Sequence, residues 1–176
     1  MITEKEAIQF LKNHQPMPSD DVLTEEEINE YDEVRKYYVN NPNEICIPLF
    51  LNSFGGKDGL GVYQMVEDIF MMYTSEKVIP HIIQALNSPY DSIKYWAIQI
   101  ASNFPDMRLF NNVEKCLKSE DSDIRLETIS TLGIYALNNI NRNKAIKILR
   151  DLLAIEKDDD IIDFCNEVIE DIYNDG

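Results

Sequence analysis

The residues best able to support chemistry are a glycine-rich stretch, two histidines and several paired carboxylates. The stretch FGGKDGLG, residues 54–61, places glycines ahead of a predicted helix, where backbone N–H groups can bind phosphate. Its order matches neither the P-loop nor the dinucleotide-binding pattern. It also falls where a helix–turn–helix unit needs its turn, with Asp58 expected to cap the next helix, so we interpret it as a turn.

The other candidate residues do not form a catalytic or metal-binding pattern. His14 and His81 have no partner at metal-ligand spacing, and His81 lies at a predicted helix start. The carboxylate pairs of EDI and DDD could act as acids or bases, but solvated acidic surfaces are far commoner than catalytic pairs. No C-x-x-C, H-E-x-x-H or G-x-S-x-G occurs. We therefore expect no enzyme, no metal and no cofactor.

A repeat of 31 residues organises the chain. The stretch SPYDSIKYWAIQIAS, residues 88–102, has apolar residues at helical spacing, with Trp96 expected in the core. Its frame recurs one repeat before, one repeat after and, 37 residues further on, a fourth time. The frames are Val62, Val66, Phe70; Ile93, Ala97, Ala101; Ile124, Thr128, Leu132; and Ile161, Cys165, Ile169. A shorter apolar helix precedes each copy, so each unit is a helix pair that must pack on its neighbours.

These pairs resemble HEAT repeats, whose second helix typically begins with Asp, then Val or Ile, then Arg. The closest match is Asp123, Ile124 and Arg125, and the second is Asp91, Ile93 and Lys94. The other two copies lack the basic residue and are assigned on spacing and packing pattern alone. The resemblance implies an all-α, right-handed α-solenoid of about four HEAT-like pairs over residues 45–173, within a single domain, 1–176. Residues 1–43 are expected to form two capping helices, the second starting at a capping box of Thr24 and Glu27. The expected packing face of that second helix is Tyr31, Val34, Tyr37 and Tyr38.

The net charge of −16 is concentrated in two segments. Residues 19–33 and residues 156–176 each carry −8, while the remaining residues balance. Without clustered Lys and Arg, neither nucleic acid nor an anionic membrane is an expected partner. A basic protein is an expected partner, because the electric field of the acidic segments would accelerate its association. The alternative is that the acidic ends only keep the protein soluble and prevent end-to-end stacking.

We expect the partner-binding surface on the second helices of the pairs, between their buried stripes. The predicted partner-binding residues are Gln64, Glu67, Asp68, Tyr95, Gln99, Leu126, Ile129, Asp163, Glu167, Glu170 and Asp171. For Leu126 and Ile129, packing against an adjoining helix is an equally good interpretation. In size, charge and repeat type the chain is similar to HEAT-type bacterial immunity proteins, which implies a basic toxin or nuclease domain as partner. The alternatives are a small enzyme or ligand-binding protein that uses the groove of the solenoid, or a general scaffold protein.

The expected setting is a monomer in the cytoplasm. The first residues lack the basic start and apolar centre of a signal peptide, and no apolar run approaches the length of a membrane span. The three cysteines lie in apolar stripes, as reduced core thiols would: Cys46, Cys116 and Cys165.

Overall fold

The chain is entirely helical within the part that the structure describes. In this computed structural model, which describes residues 2–174, ten α-helices form and no β-strand. The first five are α1 (Glu4–Asn13), α2 (Glu25–Asn40), α3 (Cys46–Leu51), α4 (Tyr63–Met71) and α5 (Ser75–Leu86). The others are α6 (Asp91–Ser102), α7 (Met107–Cys116), α8 (Ser122–Leu137), α9 (Arg142–Leu153) and α10 (Asp159–Asn174).

The predicted helix pairs are confirmed as α3 with α4, α5 with α6, α7 with α8, and α9 with α10. The all-α class of α-solenoid type is therefore confirmed. The chain divides into two compact units, one ending at Trp96 and one beginning at Ala97, so the division falls inside α6. A single domain, 1–176, stays a prediction.

Local sequence sets the helix starts in the first unit. The predicted capping box is confirmed, because the Glu27 N–H donates to Thr24 and the Glu27 carboxylate accepts from the Thr24 N–H at 2.9 Å. Thr3 and Glu6 form the same arrangement at α1. Of the expected packing face of α2, three residues are buried and Tyr37 is half-buried.

An aromatic cluster forms the core of the first unit. Trp96 is 2% exposed and stacks on Phe54 with ring centroids 5.2 Å apart, while Tyr63 meets both rings edge-on. The indole N–H donates to the Lys57 carbonyl at 3.0 Å. The expectation that Trp96 is a core residue is confirmed, and its hydrogen bond also fixes the glycine-rich loop on the core.

Two details of the first unit differ from the sequence expectation. Helix α5 begins at Ser75, so His81 lies in its interior and Pro80 within the helix, not at its start. Asp58 does not cap α4: its carboxylate accepts from the Gly61 N–H at 3.2 Å, two residues before the helix begins at Tyr63. Gly59 and Gly61 take positive φ angles, which is why the loop closes before the helix can start.

Helices α7 to α10 form the core of the second unit. Asp121 caps α8 by accepting from the N–H groups of Asp123 and Ile124. Tyr135 donates to the Ala101 carbonyl at 3.0 Å. Gly133 of α8 faces α10, and a Cβ built there would lie 2.5 Å from Cγ1 of Val168. Glycine therefore allows these two second helices to approach closely.

Candidate protein-binding site

The predicted partner-binding residues divide between the two units. In the first unit, Gln64 and Asp68 are exposed, whereas Glu67 and Tyr95 are half-buried. In the second, Gln99 and Leu126 are half-buried, and the four predicted acids of α10 are exposed: Asp163, Glu167, Glu170 and Asp171.

Ile129 has to be removed from this set. Its side chain is fully buried, so it offers a partner no surface. Its burial agrees with the alternative interpretation, in which it packs against an adjoining helix.

The second helices α8 and α10 enclose an apolar groove. Two adjoining cavities of about 290 and 220 Å³ share Ser130 and Phe164, so they form one continuous trough. The wall from α8 is Leu126, Glu127, Ser130, Gly133, Ile134 and Leu137. The wall from α10 is Asp160, Phe164, Val168 and Asp171. Low-numbered residues of α8 face low-numbered residues of α10, so the two helices run in the same direction.

The residues predicted from the sequence include part of the lining of this groove. They do not include its apolar middle, which we call the floor. Leu126 and Asp171 were predicted and do line the groove, but Phe164, Val168 and Ile134 were not. For the α10 residues, a sequence pattern could have indicated the groove. The spacing of Asp160, Phe164, Val168 and Asp171 places all four on one face of α10, beside the buried stripe. A helix with apolar residues on two faces has a second surface to cover.

An ionic network positions α10 beside α8. The Arg125 guanidinium donates to the Glu156 carboxylate at 3.0 Å and to the carbonyls of Ser119 and Glu120. Glu156 also accepts from the Lys157 N–H at 2.9 Å, and this bond, with that from the Asp158 N–H and the guanidinium, holds the pKa of Glu156 below its usual value. The basic residue of the repeat pattern thus holds the connection that leads into α10.

Helix α10 carries a dense and unneutralised negative charge. It has six carboxylates and no basic residue: Asp159, Asp160, Asp163, Glu167, Glu170 and Asp171. None of their side chains forms an ion pair with another residue of the described range, 2–174. Helix α8 has one base, Arg125, and that base is committed to Glu156.

Two bases of α9 lie at the C-terminal end of α10. Arg142 donates to the Ile172 carbonyl, and the Arg150 guanidinium lies over the Tyr173 ring, 5.6 Å from its centroid. The groove is lined by α8 and α10, so these bases lie outside its walls. Its α10 flank keeps its negative charge.

The N-terminal acidic segment is different, because much of its charge is used inside the first unit. Asp32 pairs with Arg35 at 2.7 Å and with Lys36 at 2.8 Å, and Asp21 pairs with Lys57 at 2.7 Å. These bonds stabilise local structure. Of the two acidic segments, α10 is therefore the one with more carboxylates available to a partner.

The glycine-rich loop does not form an anion site. The Gly59 N–H donates to the Asp20 carboxylate at 3.1 Å, and the Gly61 N–H donates to Asp58. Carboxylates already occupy the donors that a phosphate would need, and they would repel it. The interpretation of this stretch as a turn agrees with its structure.

The first unit also contains a cavity of about 300 Å³ with a polar lining. Its carboxamides are Gln15, Asn52, Gln84 and Asn87. None of its lining residues is a carboxylate, a histidine, a cysteine or a lysine, so the lining has no acid–base pair. Within residues 2–174, no three acidic, histidine or cysteine side chains are grouped to bind a metal ion. None of the helices in that range combines the length and apolar character of a membrane span.

Comparison with known proteins gives a family match over part of the chain. The sequence model of the HEAT repeats family matches residues 79–163, which run from α5 into α10. No curated protein matches the chain. The match and the all-helical pairs together support a HEAT-like repeat architecture. Repeats of this family generally mediate protein–protein interactions and generally act as non-catalytic scaffolds.

Proposed function

We propose that the chain is a non-catalytic module that binds a basic protein through the exposed acidic face of α10 and the groove beside it. The observation that carries the proposal is the set of six α10 carboxylates without an ion pair in the described range, next to an apolar trough. An apolar centre with a charged rim is the usual composition of a protein interface. Long-range attraction by such a rim raises association rates and makes them depend on salt.

In its finer form, the proposal is that the partner is a toxin or a nuclease domain and that the protein is its immunity protein. Binding would then inhibit by occlusion: the acidic face attracts the basic substrate-binding surface of the toxin, and one bound copy covers it. Neutralisation of a toxin by co-expression of this chain would support this form. A partner that has no toxic activity would remove it while leaving the interaction module in place.

The test is capture of partners by two charge-reversed variants of equal charge. Glu167→Lys with Asp171→Lys changes the acidic face of α10, and both residues are exposed. Glu26→Lys with Glu30→Lys is the matched control, because these exposed residues of α2 have the same four-residue spacing. Each pair changes the net charge by the same amount, so only the location differs.

We expect a basic protein from the native host to be retained by the wild type and by the α2 control at low salt, and released at high salt. The α10 variant should retain about tenfold less, and the purified partner should associate with it about tenfold more slowly. Equal loss in both variants would mean that total charge, not α10, attracts the partner. No difference between wild type and the α10 variant would refute the proposal.

A further inference from the structure

We infer that the groove between α8 and α10 binds one basic, amphipathic α-helix of the protein partner. This inference rests on the proposed function and adds the shape of the recognised segment. The length of the groove, the hydrogen-bonding state of its walls and the placement of its charges support a helical, basic occupant.

The length of the groove fits a short helix. The lining residues extend from Leu126 to Leu137 on α8 and from Asp160 to Asp171 on α10. At a rise of 1.5 Å per residue, each wall is about 16 Å long, or about three helical turns. A partner helix of about that length would place apolar residues at positions i, i+4 and i+7 on the floor formed by Phe164 and Val168.

The walls favour a helix over an extended segment. Both walls are α-helices, so their backbone N–H and C=O groups are already paired within the helix. An extended peptide would gain no backbone hydrogen bonds from them and would leave its own polar groups against apolar side chains. A helix satisfies its own backbone and presents only side chains to the floor.

The charges of the groove define those of its occupant. Asp160 lies at one end of the α10 wall and Asp171 at the other, and Glu167 follows the same edge by its helical position. The opposite wall ends in Leu137, which is 37% exposed. The occupant should therefore carry Lys or Arg about eleven residues apart on the flank that faces α10, with apolar residues beside them.

A second copy of this chain does not meet these requirements. Its most basic helix is α9, which carries four bases and one acid. The apolar residues of α9 are buried in its own unit: Ala145, Ile146, Leu149 and Leu152. They are not available to enter the groove of another molecule, so the occupant is a different protein.

The test uses synthetic peptides as probes and fluorescence anisotropy as the readout. The first is an alanine-based peptide of about fifteen residues, near the length at which isolated helices become stable. It carries leucines at i, i+4 and i+7 and arginines at both ends of the adjacent flank. The second has the same composition with the leucines on no common face, and the third has a proline at its centre, which breaks the helix.

We expect the amphipathic peptide to bind at least about tenfold more tightly than either control peptide, a difference of about 1.4 kcal/mol. Equal binding of all three would mean that charge alone attracts them and would overturn the inference. Absence of binding by the amphipathic peptide at about 1 mM would also overturn it.

A pair of protein variants shows whether the groove is the site. Ser130→Arg blocks the point that both cavities share, at a half-buried serine outside the core. Asn166→Arg adds the same charge to an exposed position of α10 that does not line the groove. Ser130→Arg should weaken peptide binding at least about tenfold, and Asn166→Arg by less than about threefold, with unchanged circular dichroism in both.

The two levels of the proposal fail in different ways. If a natural basic partner is lost on charge reversal in α10 but binds Ser130→Arg normally, the groove inference fails and the proposed function stands. If charge reversal in α10 does not affect the natural partner, the proposed function fails and takes the inference with it.

Discussion

Gly133→Ala tests the close approach of α8 and α10, which sets the width of the groove. The added Cβ would lie 2.5 Å from Cγ1 of Val168, whereas ordinary contacts begin at 3.4 Å, so one of the two must move by about 0.9 Å. Valine in a helix has one strongly preferred rotamer, so Cγ1 cannot simply turn away. Overpacking of this kind costs about 1–3 kcal/mol, against a gain of about 1 kcal/mol from replacing glycine with alanine in a helix.

The expected net effect is a loss of about 1 kcal/mol in the free energy of unfolding. In a Val168→Ala background, the clashing Cγ1 is absent and the nearest remaining atom is the Cβ at 3.9 Å, an ordinary contact. There the same Gly133→Ala change should stabilise the protein by about 1 kcal/mol. Gly133→Ala thus destabilises the wild type and stabilises the Val168→Ala variant. The two substitutions are therefore coupled by about 2 kcal/mol in the free energy of unfolding.

The assay is urea unfolding of the wild type, both single variants and the double variant, followed by circular dichroism. Equal m values in the four proteins are the condition for comparing midpoints as stabilities. If Gly133→Ala stabilises the protein in both backgrounds by the same amount, α8 and α10 do not approach each other as described. The groove would then be wider than its lining residues indicate.

Three further predictions concern contacts outside the groove. Arg125→Met should lower the free energy of unfolding by about 2–4 kcal/mol, because it leaves the Glu156 carboxylate, 11% exposed, without its cation; a loss below about 0.5 kcal/mol in urea unfolding would contradict this. Burial raises the pKa of Cys46 and Cys165 to about 11 each, so at pH 8 iodoacetamide should modify them at least about a hundredfold more slowly in native than in urea-unfolded protein, by mass spectrometry. Leu60→Gly should raise the melting temperature by about 2–4 °C, because an exposed leucine at φ +51° is strained and glycine is not; an unchanged or lower melting temperature would exclude that strain.

The fold followed from the sequence because helical periodicity and repeat spacing are local signals. The frame at Ile93, Ala97 and Ala101 located its three counterparts, and each counterpart lies in or at the start of a helix. Helix starts were less predictable where two local rules compete. At α5 the helix begins five residues before Pro80, since the apolar residues Val78 and Ile79 are buried and stabilise a turn that proline disfavours.

The site was less predictable because helical position does not say which neighbour covers a residue. Leu126 and Ile129 are three residues apart on α8, yet only Leu126 reaches the groove. The sequence also did not indicate that the N-terminal acidic segment forms ion pairs whereas the acids of α10 form none within the described residues, 2–174. Asp21 pairs with Lys57, 36 residues away, and no local pattern indicates that such a bond uses up the charge.

The charges of α10 are hard to explain by stability alone. Asp171 lies in its last turn, where the helix dipole favours cations and disfavours an acid by about 0.3–1 kcal/mol, and Glu170 directly precedes that turn. The chain does supply cations there, Arg142 and Arg150, but both come from α9 and not from a wall of the groove. Solubility alone would be served equally by acids at positions without this cost. Carboxylates without an ion pair in the described range, beside an apolar groove, are what the proposed cationic partner would require, because that partner would neutralise them on binding.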